Sequence, residues 1–373
     1  MRIARVVYVL AVVTAGREAV CEAVEQPRAT VSPDEKARLL AAESSAQKAL
    51  RAELARLTAE GQRICFNANI DGVHRVYRMG CDGTDVHCLT PELKWGGEHP
   101  HLSPDGRRIT FVSEMDESVM EEVTRSSEKD RHLGEGTGIY VMRTGSGEPQ
   151  PITVGLGPRW SPDGTKLVYY YKVHPRGRRV AIYDLQMKTE YVVNHKKIKT
   201  GIQYPVITPD GQYLFVCGKD GAVVRLKESG TRVSDDWHPL YRPFSYGCNV
   251  EFSRDTKWLV WVVDTGKDVG GWLKYAPFRP EERNVPVKRL PLGWDEKSVN
   301  YFPDFSPCGK YLVYAHGDAE RGMASWLHES GLELCVTTFP DCRVTVRITW
   351  NGAANQHPQW WAPPAESGTE SGN

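Results

Sequence analysis

Two His-Pro pairs stand far apart in the chain at matching places in a local pattern. Glu98-His99 ends four residues before Ser103, and Gln356-His357 ends four residues before Trp361. Two imidazoles beside a carboxylate and an amide can hold a divalent metal if the chain brings them together. The same residues have a plainer use: His-Pro opens a strand and the ring bonds a nearby carbonyl. Counterparts recur as Leu156-Gly157, Gln203-Tyr204, Cys248-Asn249 and Tyr301-Phe302, each four residues before a Ser or Thr. The candidate binding set is therefore Glu98, His99, Gln203, Tyr204, Asn249, Tyr301, Gln356 and His357, with His99 and His357 as the alternative metal pair. No cofactor is implied.

Catalytic signatures are missing. The chain has no G-x-S-x-G elbow, no H-E-x-x-H, no phosphate loop and no G-x-G-x-x-G after a strand. A non-enzymatic binder is favoured over an enzyme. Its nine cysteines include no C-x-x-C pair, which argues against a structural zinc site. Cys81 with Cys88, and Cys335 with Cys342, are close enough to share a hairpin if the compartment is oxidising. Cys65 and Cys217 lie in strand runs and read as small buried apolar residues.

What must position these residues is a repeated turn. Ser103-Pro104-Asp105-Gly106 returns as Ser161-Pro162-Asp163-Gly164 and Thr208-Pro209-Asp210-Gly211, then in eroded form as Ser253-Arg254-Asp255-Thr256 and Ser306-Pro307-Cys308-Gly309. Pro presets φ, Asp bonds its own backbone, and Gly accepts the positive φ at the exit. Each copy precedes a β-rich run such as Arg108-Ile109-Thr110-Phe111-Val112 or Lys257-Trp258-Leu259-Val260-Trp261-Val262. The anchors recur at intervals of 58, 47, 45 and 53 residues, the period of a four-stranded blade. Gly61-Gln62-Arg63-Ile64-Cys65-Phe66 matches Gly106 to Phe111, so the chain enters at the second strand of a blade. His357-Pro358-Gln359-Trp360-Trp361 supplies the missing first strand. The expected fold is all-β: a six-bladed β-propeller over residues 61–363, closed by a C-terminal strand, with one N-terminal helix over 32–60. Closure makes His99 and His357 neighbours and removes two open sheet edges.

The Pro-x-x-Ser-Pro-Asp-Gly signature resembles that of the TolB-like, WD-repeat-like six-bladed propellers of bacterial envelopes. The resemblance covers Gly61 to Pro363 and implies a role in binding a protein or peptide partner in the envelope. TolB itself carries an α/β domain ahead of its propeller, whereas here a leader and one helix precede Gly61. The alternative reading within such folds is a metal-assisted polysaccharide lyase or a glycan-binding propeller.

Residues 1–22 read as a secretory leader, with Arg2 and Arg5 before an apolar run from Val6 to Val13. That implies a periplasmic or secreted protein. Cys21 raises the lipoprotein option, although Val20 is not the small residue such sites carry. No later segment is long and apolar enough to span a bilayer. The formal net charge is zero, which argues against nucleic acid as the partner. The stretches Arg176-Gly177-Arg178-Arg179 and Lys196-Lys197-Ile198-Lys199 read as solvated turns.

Ser32-Pro33-Asp34-Glu35 caps the expected helix, which stops at Gly61 and would brace the propeller's edge or act as a spacer or coiled-coil handle. Residues 114–137 form a charged insertion inside one blade, expected to overhang the His99/His357 mouth as a lid or docking arm, or to be a solvated excursion. Trp160, Trp258 and Trp261 fall in strands. Trp272, Trp294, Trp326 and Trp350 lie nearer loops, where flat faces suit a sugar or peptide. Residues 364–373 are Ser/Gly/Glu-rich and expected to be disordered.

Overall fold

The structure, a computed structural model, describes residues 31–93, 96–124, 137–144, 147–173, 177–193, 203–217, 222–227, 230, 233–237, 247–263, 271–282, 284–294, 298–318 and 331–363. The expected leader (1–22), the tail (364–373) and Trp326 lie outside the described residues.

The helical stretch expected over 32–60 comes as two helices, α1 (Pro33–Ala41) and α2 (Ser45–Ala59). The interruption has a local cause. Ser44 forms a reciprocal capping box with Gln47 and starts a new helix, while the Glu43 carboxylate is held bidentately by Arg51. Leu50, Leu54 and Leu57 of α2 are buried.

Strands follow in chain order. The first group is β1 (Arg63–Ala68), β2 (Arg75–Gly80) and β3 (His87–Cys88). The next blade is β4 (Glu98–Leu102), β5 (Arg108–Glu114), β6 (Thr137–Arg143) and β7 (Gln150–Val154), with α3 (Glu117–Thr124) between β5 and β6. Then come β8 (Leu156–Trp160), β9 (Lys166–Val173), β10 (Gly177–Asp184) and β11 (Thr189–Val192). The fourth group is β12 (Gln203–Ile207), β13 (Tyr213–Cys217), β14 (Ala222–Leu226) and β15 (Val233–Trp237). The fifth is β16 (Gly247–Phe252), β17 (Trp258–Val263), β18 (Trp272–Pro277) and β19 (Lys288–Arg289). The last is β20 (Ser298–Phe305), β21 (Tyr311–Asp318), β22 (Glu333–Thr338) and β23 (Thr345–Arg347), followed by β24 (Gln356–Trp361).

These strands make six four-stranded antiparallel sheets, so the molecule is a six-bladed propeller. β24 pairs with β1, placing Trp361 opposite Arg63, Trp360 opposite Ile64 and Gln356 opposite Asn67. The Trp360 indole N–H also donates to the Gln62 side chain at 2.9 Å. The closing blade is thus built from both ends of the described chain. α2 braces the outer strand of the neighbouring blade, β23: Gln47 donates to the Thr345 carbonyl at 3.0 Å and Arg51 to the Arg347 carbonyl at 2.9 Å. Of the three uses open to the N-terminal helix, α2 serves as an edge brace.

The repeated turn works as its residues dictate. The Ser103 hydroxyl accepts from the Arg108 amide at 3.0 Å and donates to Asp105; the Asp105 carboxylate accepts from the Arg107 amide at 3.1 Å. Gly106, at φ 66°, returns its amide to the Ser103 carbonyl at 2.8 Å. Ser161, Thr208, Ser253 and Ser306 accept the corresponding amide five residues on. The eroded fourth copy closes with Thr256 at φ 58°, a conformation that suits Gly far better than a β-branched residue.

Among the described residues the cysteines are free thiols, Cys81, Cys88, Cys335 and Cys342 included. Burial pushes the Cys65 thiol well up and the Cys217 thiol up to about 12. No described helix is long and apolar enough to cross a membrane.

Candidate functional site

Each innermost strand breaks its ladder once, at the same place. The register shifts between Glu98 and His101, Leu156 and Arg159, Gln203 and Val206, Cys248 and Glu251, Tyr301 and Asp304, and in the β24–β1 pair. The residue inside each bulge is left-handed: His99 (φ 51°), Gly157 (55°), Tyr204 (49°), Asn249 (50°), Phe302 (53°) and His357 (48°). A bulge re-aims the side chain it carries. Here six bulges aim six residues at one end of the central channel, where all six line a cavity of about 30 Å³, the size of a single water.

That mouth is crowded with rings. His99 and His357 lie tilted by 47° with centroids 3.9 Å apart, and Phe302 lies tilted by 41° to His357, also at 3.9 Å. Tyr204 lies 5.8 Å from His99. Burial brings the His99 imidazole down to about 4 and holds His357 well below its ordinary value, so both rings are neutral at pH 7. The Asn67 carboxamide oxygen faces His357 Nδ1 at 3.0 Å, and its NH2 faces His74 Nδ1 at 3.1 Å. His357 Nε2 is buried with no hydrogen-bond partner, and so is the Asn249 Oδ1, on a side chain only 4% exposed. Partnerless buried polar atoms cost free energy, so two of them at one mouth need a reason.

Of the candidates named from sequence, His99, Tyr204, Asn249 and His357 converge on this cavity. Three others do not line it. Tyr301 is buried beside Gly271, where a Cβ would collide with its ring. Gln356 is buried and receives the Asn67 amide at 3.5 Å. Glu98 acts on His99 by its charge from the start of β4. The bulge explains the split: it turns only its central residue inward, and the preceding one points away. Gln203 lies in β12, and its side chain is outside the described residues. Among the described residues no three or more of His, Cys, Asp and Glu gather as metal ligands would. The described part of the 114–137 insertion, α3, lies against β7, with Met115 and Met120 packed on Val154, and lines no part of the cavity. Residues 125–136 of that insertion lie outside the described residues.

Sequence reasoning missed the layer beneath. Two residues past each bulge stand His101, Arg159, Val206, Glu251, Asp304 and Gln359, deeper in the channel. Arg159 and Glu251 form an ion pair, each side chain 14% exposed. The Trp360 amide donates to Asp304 at 2.6 Å. Burial, then the nearby Glu251 charge, pushes the Asp304 carboxyl well above the usual range. Burial also holds His101 well below its ordinary value. The signal was available: Arg159 and Glu251 are charges inside otherwise apolar runs, two residues after the bulge position.

No family model matches the chain. The uncharacterized peptidase YuxL of Bacillus subtilis is 25% identical over 234 residues, which cover 62% of this chain and 31% of that protein. An uncharacterized protein of Agrobacterium fabrum is 29% identical over 114 residues, 30% of this chain and 36% of that one. The matched stretches thus span about a third of these curated relatives. Among solved structures, TolB from Acinetobacter baumannii superposes with a TM-score of 0.59 at 19% identity, over 85% of this chain and 72% of that one. A chain of the nidogen/laminin complex does so with a TM-score of 0.52 at 12% identity, over 80% and 98%. The fold is that of the TolB-like six-bladed propellers, and at this identity the chain is not TolB itself.

Proposed function

We propose that this chain is a non-enzymatic, extracytoplasmic binding propeller of the bacterial envelope that docks a protein or peptide through the bulge-ring mouth. The observation that carries the reading is the pair of partnerless buried atoms there, Asn249 Oδ1 and His357 Nε2, framed by His99, Tyr204 and Phe302. A peptide backbone or side chain offering two N–H or O–H donors would satisfy both, since the Asn249 Oδ1 only accepts and neutral His357, bonded to Asn67 through Nδ1–H, leaves Nε2 as an acceptor. Aromatic rings with polar tips are the residues that anchor interfaces. The mouth is too small for a ligand to enter deeply, so the reading is surface docking and not engulfment. The fold likeness to TolB supports an envelope setting, and the basic-then-apolar start of the chain supports export.

The test is in-cell crosslinking from the mouth, followed by comparison with a triple variant. His99→Asn, Tyr204→Asn and His357→Asn keep a residue that tolerates the left-handed backbone. Partners captured by the parent and lost by the variant, with the variant shown to be folded by circular dichroism, are expected. A variant that captures every partner as the parent does would sink the reading, as would a turnover activity abolished by a chelator.

A further inference from the structure

The other end of the channel holds a cavity of about 430 Å³, within the range of small-molecule sites. It is walled by Trp160, Phe252, Phe305, Trp360 and Trp361, and headed by the Arg159–Glu251 pair. The repeated turns ring its opening. Pro104, Pro162 and Pro209 present apolar rings there. The fourth copy breaks the pattern, because Arg254 replaces that proline and also lines the cavity. The replacement discards the preset φ that proline gives the turn. A position that breaks a local rule without local gain is where function is expected.

Arg254 is exposed and makes no ion pair or hydrogen bond among the described residues. The acidic groups around it are engaged elsewhere or at longer range. Glu251 is paired with Arg159, Asp304 acts on Arg254 by its charge without an ion-pair contact while its two oxygens accept the Phe305 and Trp360 amides, and burial holds His101 well below its ordinary value. Arg254 thus stands as a guanidinium with no hydrogen-bonded carboxylate partner at the rim of an aromatic chamber.

We propose that this second mouth binds a single carboxylate carried on an apolar, ring-sized body, with Arg254 holding the carboxylate and the Trp and Phe walls holding the body. A guanidinium matches a carboxylate in two parallel hydrogen bonds, and the walls supply apolar burial. The carboxylate belongs either to a free organic acid or to the C-terminus of a peptide; the chemistry at Arg254 is the same.

Isothermal titration calorimetry with N-acetyl-L-phenylalanine and its carboxamide tests this directly. The acid is expected to bind saturably and the amide at least tenfold more weakly. Arg254→Gln is expected to cost the acid tenfold or more, and Arg254→Lys less. Circular dichroism checks that these exposed-site variants fold. The His99/Tyr204/His357 variant should bind the acid unchanged, which separates this site from the docking mouth. A tetrapeptide ending in phenylalanine forms the second arm: tighter binding than the single residue identifies a peptide terminus, and weaker binding a free acid. Equal binding of acid and amide, full binding by Arg254→Gln, or no saturable heat with either arm would overturn the proposal.

Discussion

The two mouths of the channel are made by the same innermost strands, yet they solve opposite problems. At the bulge-ring mouth six left-handed residues crowd neutral rings into a space for one water. At the turn mouth the strands splay into Ser-Pro-Asp-Gly turns and leave a chamber about 430 Å³ in size. Between them the Arg159–Glu251 pair, with Asp304 beside it, closes the channel. One end is therefore nearly filled by its own side chains, while the other leaves an enclosed space. The difference shows that a repeat fixes a scaffold's geometry while single departures from the repeat decide its chemistry.

The largest blow to this division should come from removing the septum. Arg159→Ala leaves Glu251 enclosed without its partner and is expected to cost about 3–5 kcal/mol, read by urea unfolding. Replacing the pair together, Arg159→Met with Glu251→Leu, should recover most of that loss. If the single variant is as stable as the parent, the two mouths are not held apart by this pair.

Next is acid. Below pH 6.5 the unfolded chain takes up protons that buried His99 refuses until about 4. Stability is therefore complete above 6.5 and falls as pH drops toward 4, by up to about 3 kcal/mol for His99 alone. His99→Asn should flatten that slope. The turn mouth behaves differently. Against the upward push of partial burial, the Ser161 hydroxyl and the Thr165 amide and hydroxyl bring Asp163 down to about 2. Its contribution is present above 3.8 and is lost only as pH falls through 2. Urea midpoints that decline between pH 3.8 and 2 but not between 6.5 and 4 would reverse the assignment.

Smaller effects are expected at the fourth turn. Thr256→Gly should relieve the left-handed Thr and stabilise the protein by about 1 kcal/mol in thermal or urea melts. Arg254→Pro restores the repeat and should add about 0.5 kcal/mol through the unfolded chain. The same change should abolish carboxylate binding, so stability and binding move in opposite directions. A gain in both would mean that Arg254 is a neutral drift of the turn.

Much of this architecture was legible because it is written in short-range chemistry. The Ser-Pro-Asp-Gly anchors gave the blade period, and the match between Gly61–Phe66 and Gly106–Phe111 gave the closing strand. The break between α1 and α2 was harder to read, since Ser44 and Gln47 sit inside a run of strong helix formers. The candidate site was half legible. Spacing from the anchor picked out His99, Tyr204, Asn249 and His357, but alternation alone could not tell them from Glu98, Tyr301 and Gln356. That distinction depends on the bulge, and a bulge has no fixed sequence: Gly, His, Tyr, Asn and Phe all occupy it here. The Arg159–Glu251 pair joins residues on different blades, so no local pattern announces it.

β24 is the last described strand, yet it is the inner partner of β1. During synthesis, the other five sheets have all their strands before β24 emerges to complete the sixth. Until then β1 keeps a bare row of backbone donors and acceptors. The nascent protein thus carries a sticky flank from the emergence of β1 until that of β24. A chaperone or an export factor that shields such a flank would meet it in that interval, before the circle is sealed.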